Sequence, residues 1–375
     1  MKEKKLRVGI LFGGRSGEHE ISLRSAASIL NAIDRTKYDV VPLAITRQGQ
    51  WLTGSSAEQL LLNQATVDTS LTSETTTKNT DLVRQGETLT SQLDVVFPVL
   101  HGTFGEDGTI QGLLELADIA YVGSGVLGSA ASMDKDAMKR LFKAADLPQT
   151  PYIAVLRSEW RLDPKRTVKQ IEKHLSYPLF VKPANLGSSV GISKVHHRSE
   201  LADALDLAAS FDRKLVVEQG VGGPGVKPRE LEVAVLGNDA PEASAVGEII
   251  PNREFYDYES KYIDTPENPS IPLIPADLTR SESRYIRDLA IEAFRATDCS
   301  GLARVDFLME PGKKGKHAKD RIFLNEINTL PGFTSISMFP KLWEASGVGY
   351  SDLIDRLLTL ARERHAEKAQ TTFSR

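Results

Sequence analysis

The chain has 375 residues, more than one hydrophobic core usually supports, so we expect two or three domains; with 41% hydrophobic and 26% charged residues, general disorder is excluded. Because 46 Lys and Arg residues stand against 50 Asp and Glu residues, the net charge is -4, which excludes the basic excess of a typical nucleic-acid-binding protein or a polybasic membrane address. The single cysteine, Cys299, excludes an intrachain disulfide and a multi-cysteine metal site, and it fits a reducing compartment.

The N-terminal segment has charged residues before an apolar run, as a secretory signal peptide does. The run from Leu6 to Phe12 is too short for one, contains Arg7 and ends in two glycines rather than at a small-residue cleavage site. We therefore predict a buried strand here. No apolar stretch approaches the roughly 20 residues that a membrane-spanning helix needs, and we expect a soluble, cytoplasmic protein.

The first third alternates strand-like and helix-like segments. Apolar runs over 8–12, 40–45 and 94–100 predict strands, and the helical spacing of apolar residues over 20–33 predicts a helix. This alternation favours an α/β fold with a parallel sheet and crossover helices. Between the second and third strands, the polar segment 66–91 is expected to be a long surface loop or hairpin insertion.

The rest of the chain continues the mixture of helices and strands. A proline-rich segment at 147–151 and a glycine-rich one at 220–225 are candidate boundaries. Helices are predicted over 135–145, 167–175, 280–296 and from 351 to about 367, and strands over 152–156, 179–182, 230–236, 303–309 and 321–326.

Two glycine-rich segments of the first third directly follow predicted strands. In the segment 13–20, glycines and the N-terminus of the next helix suit an anion, although a turn with Glu18 as a helix-start carboxylate is an alternative. Its spacing matches neither a Rossmann fingerprint nor a P-loop. The segment 101–112 has four glycines in eleven residues at a strand end where ligands gather. A structural histidine is the alternative interpretation of His101.

A third glycine-containing segment begins with Lys182 at the end of an apolar strand. The following Gly-Ser-Ser-x-Gly loop, 187–191, offers backbone N–H groups beside the lysine charge, which is typical of a phosphate clamp. A solvated structural lysine is the alternative.

The most specific pattern lies on two late strands. Alternation places Arg304 and Asp306 on one face of the first strand, and Glu326 and Asn328 on one face of the second. Two carboxylates and an amide oxygen are hard ligands suited to Mg²⁺ held with nucleotide phosphates. The alternative is a salt bridge between Arg304 and Asp306 or Glu326.

Together these segments resemble the ATP-grasp ligases, and within them the D-alanine–D-alanine ligase family. The resemblance covers nearly the whole chain in family order: LFGGRSGEHEIS at 11–22, HGTFGEDGTIQG at 101–112, GSGVLGSAASMDK at 123–135, VKPANLGSSVGI at 181–192, RELEVAVLG at 229–237, YDYESKY at 256–262, RVDF at 304–307 and NEINTLPGFTSISMFP at 325–340. It implies a three-domain ATP-grasp architecture, divided as 1–135, 136–222 and 223–375, with ATP between the last two domains. The polar insertion 66–91 and the lengthened segment 221–228 depart from the family pattern.

The resemblance implies a set of ATP and metal contacts. Lysines would contact the phosphates, the strand 216–219 and its continuation would line adenine, and Glu230 would hold the ribose. The implied nucleotide-binding residues are Lys135, Lys182, Glu218, Gln219, Val221, Glu230 and Lys261. Asp306, Glu326 and Asn328 match the metal ligands, usually for two Mg²⁺ or Mn²⁺ ions.

The resemblance also implies the chemistry, which is ligation of two D-alanines through an acyl phosphate for peptidoglycan precursor synthesis. Arg304 and the N–H of Gly332 would stabilise the tetrahedral oxyanion. Glu18 would pair with the first substrate's ammonium, and Tyr262, on a lid over the reaction centre, would bond with Ser188 and Glu18. Substrate-binding positions are His101, Ser337 and Met338, the last two for the second carboxylate.

Two other functions remain open at this point. A sibling ligase would use D-lactate or D-serine as acceptor, but relatives that make D-alanyl-D-lactate typically carry Phe at the position of Tyr262, so tyrosine favours the dipeptide. A non-catalytic nucleotide-binding module on the same fold would have lost residues such as Arg304 or Asp306, which are present. The resemblance further implies a homodimer.

Overall fold

A computed structural model describes residues 4–62, 93–250, 271–312 and 321–372. Within them the chain forms three β-sheets, each with helices packed against it. The predicted insertion 66–91 and the YDYESKY segment at 256–262 lie outside the described residues. Among the helices that are described, none is both long and apolar enough to cross a membrane.

The first sheet has a parallel centre, as predicted. Its elements are β1 (Leu6–Gly13), α1 (His19–Ala32), β2 (Tyr38–Ile45), β3 (Trp51–Thr53), α2 (Ser55–Leu62), β4 (Val95–Pro98), α3 (Thr109–Leu116) and α4 (Val126–Met133). β2 and β4 flank β1 in parallel, and β3 extends β2 antiparallel. Because both faces of β1 are covered from residue 8 onward, its sequence is a continuous apolar run rather than an alternating one.

The second sheet is antiparallel throughout and has its own core. Its strands, in the order β5-β8-β6-β7 across the sheet, are β5 (Tyr152–Leu156), β6 (Leu179–Pro183), β7 (Ser193–Val195) and β8 (Lys214–Gln219). The helices of this part of the chain are α5 (Lys135–Ala144), α6 (Arg157–Leu162), α7 (Pro164–His174) and α8 (Arg198–Phe211). α7 begins three residues before its predicted start. The reason is local: the Asp163 side chain accepts the N–H of Arg166, and Pro164 fits the first helical position.

The third sheet is also antiparallel, in the order β11-β10-β9-β12-β13, where the strands are β9 (Arg229–Gly237), β10 (Glu242–Ile250), β11 (Ile271–Leu273), β12 (Gly301–Met309) and β13 (Ile322–Asn328). α9 (Arg280–Ala296) lies between β11 and β12 in the chain and covers this sheet with residues such as Ile286 and Phe294. It begins at its predicted residue because Thr279 and Glu282 form a capping box. α10 (Met338–Glu344) and α11 (Tyr350–Lys368) complete the described chain.

Two cores connect parts that are distant in sequence. Phe333, just before α10, packs its ring against Phe97 of β4 and Tyr350 of α11, with centroids 5.4 and 5.5 Å apart, so the first sheet shares a core with the last helices. Met138 and Phe142 of α5 belong to the core of the third sheet. The division at 135 and 222 stays a prediction, and α5 packs across it.

Candidate active site

A cavity of about 410 Å³ lies between the second and third sheets. Its walls come from β6, β7 and β8 on one side and from β9, β12 and β13 on the other. Eight residues singled out from the sequence line it: Lys182, Glu218, Gln219, Val221, Glu230, Arg304, Asp306 and Glu326. The approach of these two sheets therefore brings together residues up to 144 positions apart in the chain, from Lys182 to Glu326.

Lys182 and Glu218 form the polar floor of this cavity. Glu218 pairs with Phe180 across β6 and β8, and Lys182 lies two residues from Phe180, so both side chains lie on one face. The Lys182 Nζ is 3.1 Å from Oε1 of Glu218. Lys139 of α5, which the sequence did not single out, lies 3.3 Å from Oε2. Burial alone would raise the pKa of Glu218, but the charges of Lys139 and Lys182 outweigh it and lower the pKa to about 2.

Three carboxylates lie in a row on β9, β12 and β13, at the end of the cavity away from the turn after β8. Asp306 of β12 is paired with Glu326 of β13 on one side and with Glu232 of β9 on the other. Arg304 binds both oxygens of Asp306 at 2.7 Å, and its Nε lies 3.2 Å from Oε2 of Glu232. Burial would lower the pKa of Arg304, but Asp306 and Glu232 outweigh it and raise the pKa. The salt bridge between Arg304 and Asp306, which was the alternative interpretation of this pattern, is therefore present in the structure.

The predicted metal ligands lie side by side at this end. Asn328 pairs with Arg304 across the strands, and its amide nitrogen donates to Oδ2 of Asp306 at 3.0 Å. Among the described residues no three His, Cys, Asp or Glu side chains form a metal-binding group; the predicted set has two carboxylates and an amide. Such a set of hard oxygen donors fits Mg²⁺, which takes few protein ligands and keeps the rest for water and phosphate.

A smaller cavity adjoins the first and joins Lys135 to these ligands. Lys135, Ser188, Glu326 and Asn328 all line it. The Lys135 Nζ lies 4.0 Å from Oε2 of Glu326 and donates to the Leu186 carbonyl at 2.7 Å. The lysine charge thus lies beside a proposed metal ligand and the loop after β6.

Glu18 and Ser188 meet across the loops that follow β1 and β6. The Ser188 hydroxyl donates to Oε1 of Glu18. Ser188 itself has a φ of +52°, a left-handed conformation that few non-glycine residues adopt. Gly102 has a φ of +74°, and a Cβ there would overlap Oε2 of Glu18. Glycine at 102 is therefore what lets this carboxylate approach the loop after β4. Glu18 makes no side-chain cap on α1.

Two residues of the loop after β4 lie beside Glu18: His101, which is buried, and Glu106, which is partly buried. His101 is bonded through Nδ1 to the Leu330 carbonyl at 2.9 Å and through Nε2 to Ser25 Oγ at 3.1 Å, and burial lowers its pKa. Glu106, whose role the sequence did not indicate, lines the smaller cavity and accepts the N–H of Gly102 at 3.0 Å. Burial, then the charge of Glu18, raises the pKa of Glu106 well above its usual range. Its place in the glycine-rich segment 101–112 was the available signal.

Gly332, Ser337 and Met338 lie together after β13. A Cβ on Gly332 would be 3.2 Å from Ser337 Oγ, and that hydroxyl also accepts the N–H of Thr334 at 3.1 Å. Met338 is the first residue of α10. None of the three is among the described residues lining the two cavities, but the bond from His101 to Leu330 holds their loop against the loop after β4.

For a few residues, the sequence prediction and the structure of the two cavities do not correspond. Gln219 lines the large cavity, but its Oε1 accepts the N–H of Ser176 at 2.9 Å. Lys261 and Tyr262 lie outside the described residues. Glu232 was missed although it lies two residues after Glu230 on β9, a spacing that places both on one face.

Two family models and full-length relatives match this chain. The family model described as D-ala D-ala ligase C-terminus matches residues 141–359, and the one described as D-ala D-ala ligase N-terminus matches residues 7–124. A D-alanine--D-alanine ligase of Natranaerobius thermophilus is 49% identical over 99% of both chains. One of Chloroherpeton thalassium is 48% identical over 97% of this chain and 98% of its own.

Solved structures show the same fold. The D-alanine-D-alanine ligase from Coxiella burnetii is 35% identical, with a TM-score of 0.78, over 98% of this chain and 96% of its own. The VanG D-Ala:D-Ser ligase from Enterococcus faecalis has the same TM-score of 0.78 at 33% identity, over 96% of this chain and 100% of its own.

Proposed function

The chain belongs to the D-alanine–D-alanine ligase family, and on that premise we propose that its cleft uses ATP to join two D-alanine molecules into D-alanyl-D-alanine, a peptidoglycan precursor. One observation carries the proposal for these particular residues: lysines, an arginine and a row of carboxylates converge between two sheets. That arrangement suits a polyphosphate, a divalent cation and a developing oxyanion in one cleft.

We propose that ATP lies in the large cavity. Glu218, Gln219 and Val221 lie at the end that would hold adenine, and Glu230 would bind the ribose. Lys135, Lys182 and Lys261 would contact the phosphates, because compact ammonium groups neutralise phosphate charge without bidentate geometry.

Asp306, Glu326 and Asn328 would hold Mg²⁺ or Mn²⁺, and the family precedent is two ions. When bound, the metal would neutralise charge on the transferred phosphoryl group. Because Arg304 holds both oxygens of Asp306, Asp306 would serve the guanidinium and the metal in turn or together.

The proposed reaction has two steps. A carboxylate is a poor electrophile, so a carboxylate oxygen of the first D-alanine attacks the γ-phosphorus, ADP leaves, and an acyl phosphate forms. The amine of the second D-alanine then attacks the acyl carbon, and inorganic phosphate leaves with the acyl C–O electrons. Arg304 and the N–H of Gly332 would stabilise the tetrahedral oxyanion between these events.

Substrate recognition would come from the loops around the smaller cavity. Glu18, held by Ser188, would bind the first ammonium group, with Tyr262 completing that set and His101 positioning it. Ser337, through its hydroxyl, and Met338 would bind the second carboxylate. The lid that contains Tyr262 would exclude water from the acyl phosphate.

D-serine or D-lactate is the alternative acceptor. The equal TM-score to a D-Ala:D-Ser ligase is the observation that keeps this candidate, because the fold does not separate the two acceptors. Tyrosine at 262 favours the amine acceptor D-alanine over D-lactate.

A homodimer in the cytoplasm, where ATP is available, completes the proposal. Four exposed apolar residues on the adjacent helices α3 and α4 support a second copy as partner: Leu113, Leu116, Val126 and Leu127. We call them the α3–α4 patch; exposed apolar patches mark contact surfaces.

The test is turnover. With ATP, Mg²⁺ and D-alanine the protein should release one phosphate for each dipeptide formed, while the Asp306→Asn variant should lose most of this rate. Phosphate release that requires D-serine or D-lactate in addition to D-alanine would transfer the function to the alternative. No turnover with any of the three acceptors would overturn the proposal.

A further inference from the structure

Lys139 is a fully buried lysine that none of the proposed roles uses. It lies on α5, with no exposed surface, and its Nζ is 5.4 Å from the centroid of the Tyr152 ring and 3.3 Å from Oε2 of Glu218. An ammonium group so deeply buried is unfavourable unless an anion balances it. Glu218 is that anion.

Glu218 is shared between two lysines. Its Oε1 lies 3.1 Å from Lys182 Nζ, and its Oε2 also accepts from the Thr150 hydroxyl at 3.3 Å. As far as the chain is described, the lining of the large cavity includes Thr150, Lys182 and Glu218 but not Lys139. Lys139 is therefore on the side of the carboxylate away from the nucleotide space.

The charges of this group do not cancel. Burial lowers the pKa of Lys139, and the charge of Glu218 opposes that shift. With both lysines protonated, two ammonium groups and one carboxylate leave a net charge of +1. If Lys139 were absent, Lys182 alone would balance the buried carboxylate, and little positive charge would remain for a phosphate. With Lys139 present, the surplus charge belongs to the one lysine that reaches the cavity.

We propose that Lys139 is a positioning residue of the ATP site. It neutralises Glu218 from the side away from the large cavity, and so it leaves the charge of Lys182 for the nucleotide phosphates. This rests on the proposed function, because it assumes that the large cavity binds ATP. Lys139 itself touches no substrate.

The test is a comparison of nucleotides that differ only in phosphate charge. The Lys139→Met variant should bind ATP and ADP about tenfold more weakly than the wild type, with adenosine binding nearly unchanged. A purely structural role would weaken all three alike. The matched control is Lys143→Met, an exposed lysine one turn further along α5, which should change none of them.

Two further variants keep the proposal falsifiable if Lys139→Met folds poorly. Lys139→Arg should retain most of the ATP affinity. The double variant Lys139→Met, Glu218→Gln lacks the carboxylate that pairs with Lys182. Its preference for ATP over adenosine should therefore be closer to that of the wild type than the preference of Lys139→Met is. In a Lys182→Met background, the added Lys139→Met substitution should weaken ATP binding little further, because Lys139 acts through Lys182.

The outcomes are distinguishable. If the wild type binds no ATP, the proposed function fails. If the wild type binds ATP and Lys139→Met weakens ATP and adenosine equally, or not at all, only the role of Lys139 is overturned. Full additivity with Lys182→Met would also overturn it.

Discussion

Glu218 is buried and Glu106 is partly buried, and their surroundings move the pKa values of these two carboxyl groups in opposite directions. Glu218 is buried between two lysines and its pKa falls to about 2. Glu106 is partly buried beside another carboxylate, Glu18, and this desolvation together with the charge of Glu18 raises its pKa well above the usual range. Local charge, not burial alone, therefore decides the direction in which each pKa moves.

The raised pKa of Glu106 predicts a pH-dependent stability. The folded state holds this proton above pH 4.5, the ordinary value, where the unfolded chain has lost it. Stability from the protonated group is therefore full at low pH and declines as pH rises towards the folded pKa. Glu106→Gln stays neutral at every pH, so its urea-unfolding free energy relative to wild type should increase from pH 4.5 to 8. A constant difference would contradict this assignment.

Arg304 carries the proposed oxyanion role and also balances Asp306 and Glu232. Arg304→Met should lower kcat by about 10²- to 10³-fold, with a smaller change in the KM for ATP. Steady-state kinetics measure both. Arg295→Met, at an exposed position of α9, is the control and should keep the wild-type rate. A wild-type kcat in Arg304→Met would remove Arg304 from the chemistry.

At the scale of elements, the site depends on how closely the loops after β1, β4 and β6 approach one another. Strand ends place these loops, and the sequence predicted the three preceding strands, β1, β4 and β6, because each is an apolar run. It did not predict β3, β7, β10 or β11. It also predicted the face shared by Arg304 and Asp306, since period-two alternation suffices for that. It could not predict Lys139, because a lysine on an amphipathic helix looks solvent-exposed until the second sheet is packed against it. Nor does any local pattern reveal that Glu18 reaches Ser188.

The approach of these loops can be tested at Gly102. Gly102→Ala would place a methyl group against Glu18 and should raise the KM for the first D-alanine by about tenfold. Gly54→Ala is the matched control: it also has a positive φ, +58°, but meets no atom within 4 Å. It should lower stability without changing the KM. Equal KM values in both variants would argue against a substrate role for Glu18.

At the scale of the molecule, the α3–α4 patch is the strongest candidate for self-association. Leu116 is 91% exposed and Leu127 is 62% exposed. If this patch joins two copies, Leu116→Asp with Leu127→Asp should convert a dimer to a monomer in light scattering, because a buried unpaired charge opposes association. Leu162→Asp, an 87% exposed position on α6, should leave the mass unchanged. A dimer that survives the double substitution must use another surface.

The core around Phe333 determines when the chain can fold during synthesis. It joins β1 and β4 to helices that end the chain, and Arg364 of α11 bonds back to the Gly123 carbonyl. The ribosome completes the first sheet and α1 long before α11, so the part of this core that the last helices cover stays exposed until α10 and α11 have been synthesised. The second sheet, with a core of its own, has no such delay. Nascent-chain folding should therefore complete the core of the second sheet before α10 and α11 pack against the first sheet.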